Sequence, residues 1–338
     1  VDRRSSLVVG SAIVVALALT GCAAESPAAP DSLAVEAYVE PGGGAAAAVT
    51  ATDGRAATIG IDGVTLAADG AGLNALPGGV GSLASKASRA GASPELLVSN
   101  YSDAIGDFSP DVGTALLADP DHRSRVAVRL AALAAAHDMS GVQIDLESLR
   151  SRDRAGLVAF AAALGDAVHE RLGADAEVSM AVMASTDEDG YRDTGYDLGA
   201  LEDHVDRFVL MTYDQHGPWS DPGPIGALPW TKRAVAAAER SGVPADRIDL
   251  GIAGYGYVWG GSGDAQLSPA AARTVAGSAA RWSARDAEWS AVLGDGRELH
   301  WSDARSYRAR VALAADLGLH GVALWSLNTL ALPEPEAT

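Results

Sequence analysis

Cysteine is all but missing. The chain has 338 residues and one cysteine, Cys22, which excludes an internal disulfide and a zinc site built from several cysteines. Positive charge is also short: Lys and Arg number 25 against 44 Asp and Glu, giving a net charge of -19 and a pI near 4.6. Such a surface repels a phosphate backbone, so nucleic acid is not an expected partner. The histidines show no ligand spacing, and neither a metal nor a cofactor is expected. No glycine-rich phosphate loop follows the first apolar segment, which weighs against an open, doubly wound dinucleotide-binding sheet. Tandem repeats and long low-complexity linkers are absent as well. What is present is a hydrophobic fraction of 48% with 20% charged residues, a globular balance at a length that can bury a large core.

The one near-continuous apolar run, Leu7 to Leu19, follows Arg3 and Arg4 and ends in Leu19-Thr20-Gly21-Cys22. It is short for a membrane span and has the charge, length and small-residue exit of a secretory signal covering residues 1–21. The tetrapeptide resembles a bacterial lipobox. That resemblance implies cleavage before Cys22, lipid on the cysteine, and a protein held at the extracytoplasmic face of the cell membrane, or secreted if no lipid is added. Residues 22–30, rich in Ala, Ser and Pro, read as a flexible tether.

Beyond the tether, short apolar segments alternate with longer ones of helical period. Strands are expected at Ala34 to Val39, Ala57 to Leu66, Leu96 to Asn100, Gly141 to Leu146, Glu177 to Met183, Arg207 to Tyr213, Ile248 to Tyr255 and Gly321 to Leu327. Helices are expected at Asp121 to His137, Arg152 to Leu172, Thr231 to Ser241 and Asp303 to Leu317. Eight such alternations over residues 31–332 fit an α/β fold of the (β/α)8 TIM-barrel type in one monomeric domain, followed by a tail at 333–338. A small α+β insertion is expected between strands 7 and 8, at about 260–302. It opens with a Ser268-Pro269 helix start and continues as a hairpin around Asp295-Gly296.

The most informative stretch is Ser140-Gly141-Val142-Gln143-Ile144-Asp145-Leu146-Glu147. With period two, Val142, Ile144 and Leu146 face helices while Gln143, Asp145 and Glu147 point into the barrel. Two acids on one inner face disfavour joint ionisation, which keeps Glu147 protonated as a general acid. A strand end with merely solvated acids is the structural alternative.

This stretch resembles glycoside hydrolase family 18, whose fourth strand carries Asp-x-x-Asp-x-Asp-x-Glu. Asp145 and Glu147 match the last two acids, whereas Ser140 and Gln143 stand at the first two. Met211-Thr212-Tyr213-Asp214, Leu250 to Gly256 and Gly321 to Trp325 follow in the family's order. The segments Pro222 to Trp230 and Trp301 to Arg305 look most like the branch containing spore-cortex and cell-wall N-acetylglucosaminidases.

The resemblance implies hydrolysis of a β-linked N-acetylated glycan with retention, the substrate's own acetamido group serving as nucleophile. Glu147 would be the acid and base, Asp145 the partner of the acetamido N–H, and Tyr213 the holder of the acetamido carbonyl. Asp214, Trp325, Gln143, Met211 and Trp230 would bind substrate, and Gln143 is expected to hydrogen-bond Asp145 without being able to exchange charge with it. Trp219 and Trp259 are further cleft candidates. Two other readings stay open: a glycan-binding barrel without turnover and, less in keeping with a single barrel, a lipoprotein solute receptor.

Overall fold

The computed structural model describes residues 33–260 and 265–334. Cys22, the expected signal, the expected tether, residues 31–32 of the expected barrel and most of the expected tail lie outside the described residues. Eight parallel strands close into a barrel: β1 (Ala34–Val39), β2 (Thr58–Thr65), β3 (Ser93–Ser99), β4 (Gly141–Asp145), β5 (Glu177–Met183), β6 (Arg207–Met211), β7 (Ile248–Ala253) and β8 (Gly321–Trp325). Around the ring each strand pairs with its sequence neighbour, and β8 returns to pair with β1. This is the expected TIM barrel, with every strand in the expected order.

The differences lie at strand ends. β3 begins earlier than its apolar pattern suggests because Pro94, which lacks an N–H, occupies the start of the strand, where its carbonyl still accepts from Ser140 N. β6 stops at Met211 because Thr212 N turns back to Leu210 O and Asp214 adopts a left-handed φ of 57°. Tyr213 and Asp214 therefore sit on the loop that leaves the strand.

Helices follow where capping chemistry allows. Asp303 accepts from the backbone N–H groups of Arg305 and Ser306 to open the helix Ala304–Asp316, and Ser268 accepts from Ala271 N with Pro269 in the first turn of Pro269–Ala276. The helices Pro120–Ala136, Arg154–Leu172 and Leu228–Arg240 stand at the expected places. Val142, Ile144 and Leu146 join the core between strands and helices, which sends Gln143, Asp145 and Glu147 the other way.

The lower barrel interior is ionic. Arg207 lies among Glu36 at 2.5 Å, Asp249 at 2.8 Å and Glu95 at 3.0 Å, all buried. His320 adds a second basic group 2.7 Å from Asp249, and burial pushes Glu36 up to about 7, which favours a proton on this layer. Above this layer Tyr38, Leu97, Val209 and Ala323 form an apolar plug beneath Trp325.

Between β7 and β8 stands an antiparallel sheet of five strands, in the order Ala265–Leu267, Gly256–Trp259, Glu298–Trp301, Glu288–Val292 and Arg281–Ser283. It begins at Gly256, two residues after β7 leaves its ladder. Trp301, Trp289 and Trp282 occupy one row across three strands, on the face packed by the helix Pro269–Ala276. Alternation puts Tyr257 and His300 on the opposite face.

Candidate active site

The C-terminal ends of the barrel strands open into a cleft of about 440 Å³, within the size range of sites that take whole small molecules. Gln143, Asp145, Glu147, Met211, Tyr213, Asp214, Trp230 and Trp325 all line it, so the structure brings together every cleft residue expected from sequence as substrate-binding or catalytic. Trp219 also reaches the cleft from the loop after β6, 67% exposed and edge-on to Tyr257 at 5.9 Å. Trp259 does not. It is buried behind Tyr257, and its indole N–H donates to the Gly217 carbonyl at 3.0 Å.

Glu147 follows β4 on a backbone clamped from several sides. Asn100 accepts from Glu147 N at 2.9 Å and donates to Glu147 O at 2.8 Å, while Tyr196 donates to Leu146 O at 2.9 Å. Ser148 completes the turn with a left-handed φ of 56°. Burial holds the Glu147 carboxyl well above the usual carboxylate range, and the charges of Asp145, Asp214 and Asp107 push it further. Both effects favour the protonated carboxyl, with desolvation the larger cause and charge repulsion the smaller.

Asp145 closes β4 at 7% exposure, and its Oδ1 has no hydrogen-bond partner. Burial, then the negative charge of Asp62, raises its carboxyl to about 7. The expected bond from Gln143 to Asp145 is not made. Gln143 Oε1 instead accepts from the Tyr38 hydroxyl at 2.8 Å, and its Nε2 donates to Ser179 Oγ at 2.9 Å and Glu36 Oε1 at 3.2 Å. In a closed barrel an inward side chain meets those of other strands at its own height before it meets the residue two positions along its own strand. Gln143 therefore belongs to the ionic layer below and ties it to Tyr38, which packs on Trp325 at 5.2 Å between ring centroids.

Tyr213 and Asp214 form the facing wall. Gly251 on β7 admits the Tyr213 ring: a Cβ there would lie 2.9 Å from Tyr213 Cε1 and 2.5 Å from Leu210 O. Burial followed by the carboxylates of Glu147 and Asp145 raises the Tyr213 hydroxyl far above its ordinary value, so it stays a hydrogen-bond donor. Asp214 Oδ1 accepts from Tyr255 at 2.6 Å and Tyr257 at 3.0 Å, which fixes its direction. Burial raises Asp214, and these two bonds oppose the rise.

Tyr38, Asn100, Tyr255 and Tyr257 were not singled out as site residues in the sequence. Tyr255 and Tyr257 carried a signal in their alternation across Gly256, but Asn100 carried none: it acts through bonds to a segment 47 residues away. Among the described residues no group of three or more His, Cys, Asp or Glu side chains has the arrangement of a metal site.

Residues 100–329 match the sequence profile of Glycosyl hydrolases family 18. The chain belongs to this family. Among curated relatives of this family 18 chain, the "Cortical fragment-lytic enzyme" of Bacillus subtilis is 28% identical over 67% of the chain and 55% of its own length. The "Putative sporulation-specific glycosylase YdhD" of the same organism is 26% identical over 68% of the chain and 57% of its own length. The chain spans about half the length of these curated relatives. Among solved structures, a chitinase from Chromobacterium violaceum superposes with a TM-score of 0.78 at 25% identity, over 88% of this chain and 95% of the other. The Bacillus cereus spore cortex-lytic enzyme SleL shares the fold with a TM-score of 0.77 at 22% identity, over 88% of this chain and 72% of the other.

Proposed function

We propose that the chain is a retaining β-N-acetylglucosaminidase that cleaves N-acetylated glycans of the peptidoglycan or chitin type through the substrate's own acetamido group. The observation that carries this reading is the placement of Glu147, a buried carboxyl just past the end of β4 whose surroundings raise its pKa, in one cleft with Asp145 and Tyr213. Glu147 donates its proton to the leaving oxygen and afterwards takes one from water. Tyr213 donates to the acetamido carbonyl and brings its oxygen in line with the anomeric carbon, so orientation replaces a protein nucleophile. Asp145 accepts from the acetamido N–H and, as an anion, stabilises the oxazolinium-like charge. Trp325 offers its indole face to the C–H face of the reacting ring, and Asp214 meets sugar hydroxyls. The relatives named for cortical-fragment lysis and chitin hydrolysis support both glycan types. For localisation we keep the lipid anchor at Cys22, which places the enzyme at the outer face of the membrane beside the wall.

Purified sacculi and chitooligosaccharides at pH 4–8 test the reading, with mass spectrometry of the released fragments. N-acetylglucosamine at the new reducing end supports it, and muramic acid there contradicts it. Glu147→Gln is expected to lower turnover by about 10²- to 10⁴-fold while leaving the fold intact. If the wild-type protein releases no reducing ends yet retains these glycans, the barrel is a binding module.

A further inference from the structure

β2 carries one irregularity, and it falls beside the site. Pairing with β3 runs regularly from Thr58 opposite Ser93 to Asp62 opposite Leu97, then slips so that Val64 faces Val98 and Gly63 is the extra residue. A side chain at Gly63 would run into Leu96, so the bulge needs glycine. Below the bulge, Ile59 and Ile61 face the helices, and Gly60 faces inward, where a Cβ would lie 2.5 Å from the Tyr38 ring. Above it, Val64 has already joined the outer core. Asp62 thus faces inward just below the bulge, on the far side of β3 from Asp145, which pairs with Ser99 at the end of that strand. Bulges next to active sites re-aim a side chain in this manner.

Asp145 has need of such a neighbour. Its Oδ1 is buried and unpartnered, and Gln143, the residue on its own strand that could have reached it, is committed to Tyr38, Ser179 and Glu36. The titratable groups whose charge couples to that of Asp145 are Asp62, Glu147 and Tyr213 in the barrel and Tyr196 behind Leu146, while Glu40, just after β1, acts on Asp62. None of these is a cation. We propose that Asp62 is a positioning residue of the catalytic site, forming with Asp145 an inward carboxyl pair that holds a single proton while the cleft is empty. The proposal rests on the hydrolase reading for its consequence, because Asp62 then sets the pH at which Asp145 becomes the anion that the oxazolinium-like charge requires. Burial and the neighbouring charges act in that direction on both members, raising Asp62 to about 6 and Asp145 to about 7.

Two variants and one titration test the pair. Asp62→Asn removes the like charge, so Asp145 ionises more readily and the acid limb of kcat/KM on chitooligosaccharides moves down by at least about 0.5 pH unit. Activity at pH 5 relative to pH 7 then rises, a gain that mere structural damage does not produce. Asp62→Glu keeps the charge and is expected to keep the wild-type limb. An Asp62→Asn limb that coincides with the wild-type limb, whatever the absolute rate, overturns the proposal. Carboxyl ¹³C NMR titration in a Glu147→Gln background, with and without Asp62→Asn, requires no turnover: Asp145 titrates at lower pH once Asp62 is gone, and an unchanged titration overturns the pair. If the wild-type protein proves inactive, the hydrolase reading fails while the titration still decides whether the two carboxyls are coupled.

Discussion

Asn100 shows how a residue with no chemistry of its own can govern a reacting group. Its amide is fully buried and holds both the N–H and the carbonyl of Glu147, with a further bond to the Ser109 carbonyl at 2.9 Å. A displacement of the acid by about 1 Å costs about 10²-fold in rate, because the proton must arrive along the leaving-group axis. Asn100→Ala is therefore expected to lower kcat on chitooligosaccharides by tenfold or more with KM changed by less than about twofold. Steady-state kinetics on the folded variant check this, and a loss confined to KM would contradict it. At this scale the sequence was readable where function sits on alternate residues of one strand, as with Asp145 and Glu147. It was not readable where function depends on contacts that only closure of the barrel creates. Tyr38 and Gln143 are 105 residues apart, and the adjacency of Gln143 to Asp145 along the chain pointed to the wrong partner.

At the scale of elements, the strands were legible because inward and outward residues alternate under a strong burial constraint, whereas the coupling between elements was not. Glu288 is the clearest case. It lies on the inserted sheet, yet its carboxylate accepts from Ile225 N and Gly226 N at 2.8 Å each and pairs with Arg310 at 2.6 Å. Insertion, β6 exit loop and last helix are thereby locked together just before the helix Leu228–Arg240, which carries Trp230 into the cleft. Both members of the pair are buried, and burial already lowers the Arg310 guanidinium from its ordinary value. Removing the negative partner leaves an uncompensated buried cation, a loss of about 3–5 kcal/mol. Glu288→Gln is expected to lower the denaturation midpoint accordingly and to raise KM through the loosened Trp230 helix. A midpoint within experimental error of wild type would show that the insertion is not fastened through this residue.

For the whole molecule, the buried carboxyls make stability depend on pH in an unusual direction. Most acidic residues that are paired in a fold favour neutral pH, but here Glu36 and Asp145 are raised to about 7 and Asp62 to about 6, with Glu95, Glu147 and Asp214 raised as well. Each of these groups holds its proton more tightly when folded than in the unfolded chain. Unfolding therefore releases protons between the ordinary carboxylate range and about 7, and the associated stability is fully present below that ordinary range. It is lost as pH rises through the folded-state values. A single shift of the size seen at Glu36 corresponds to on the order of 3 kcal/mol, and self-repulsion at a net charge of -19 adds to the loss near neutrality. Arg207 recovers part of it by holding Glu36, Glu95 and Asp249 in one place. The expected result is a Tm that rises as pH falls from 8 to about 5, accompanied by net proton release on unfolding between pH 5 and 7. Calorimetry in buffers of different ionisation enthalpy measures both quantities. A Tm that is flat or falls over this acidification would mean that the barrel's acids are ionised in the folded state and that the ionic layer, not bound protons, balances their charge.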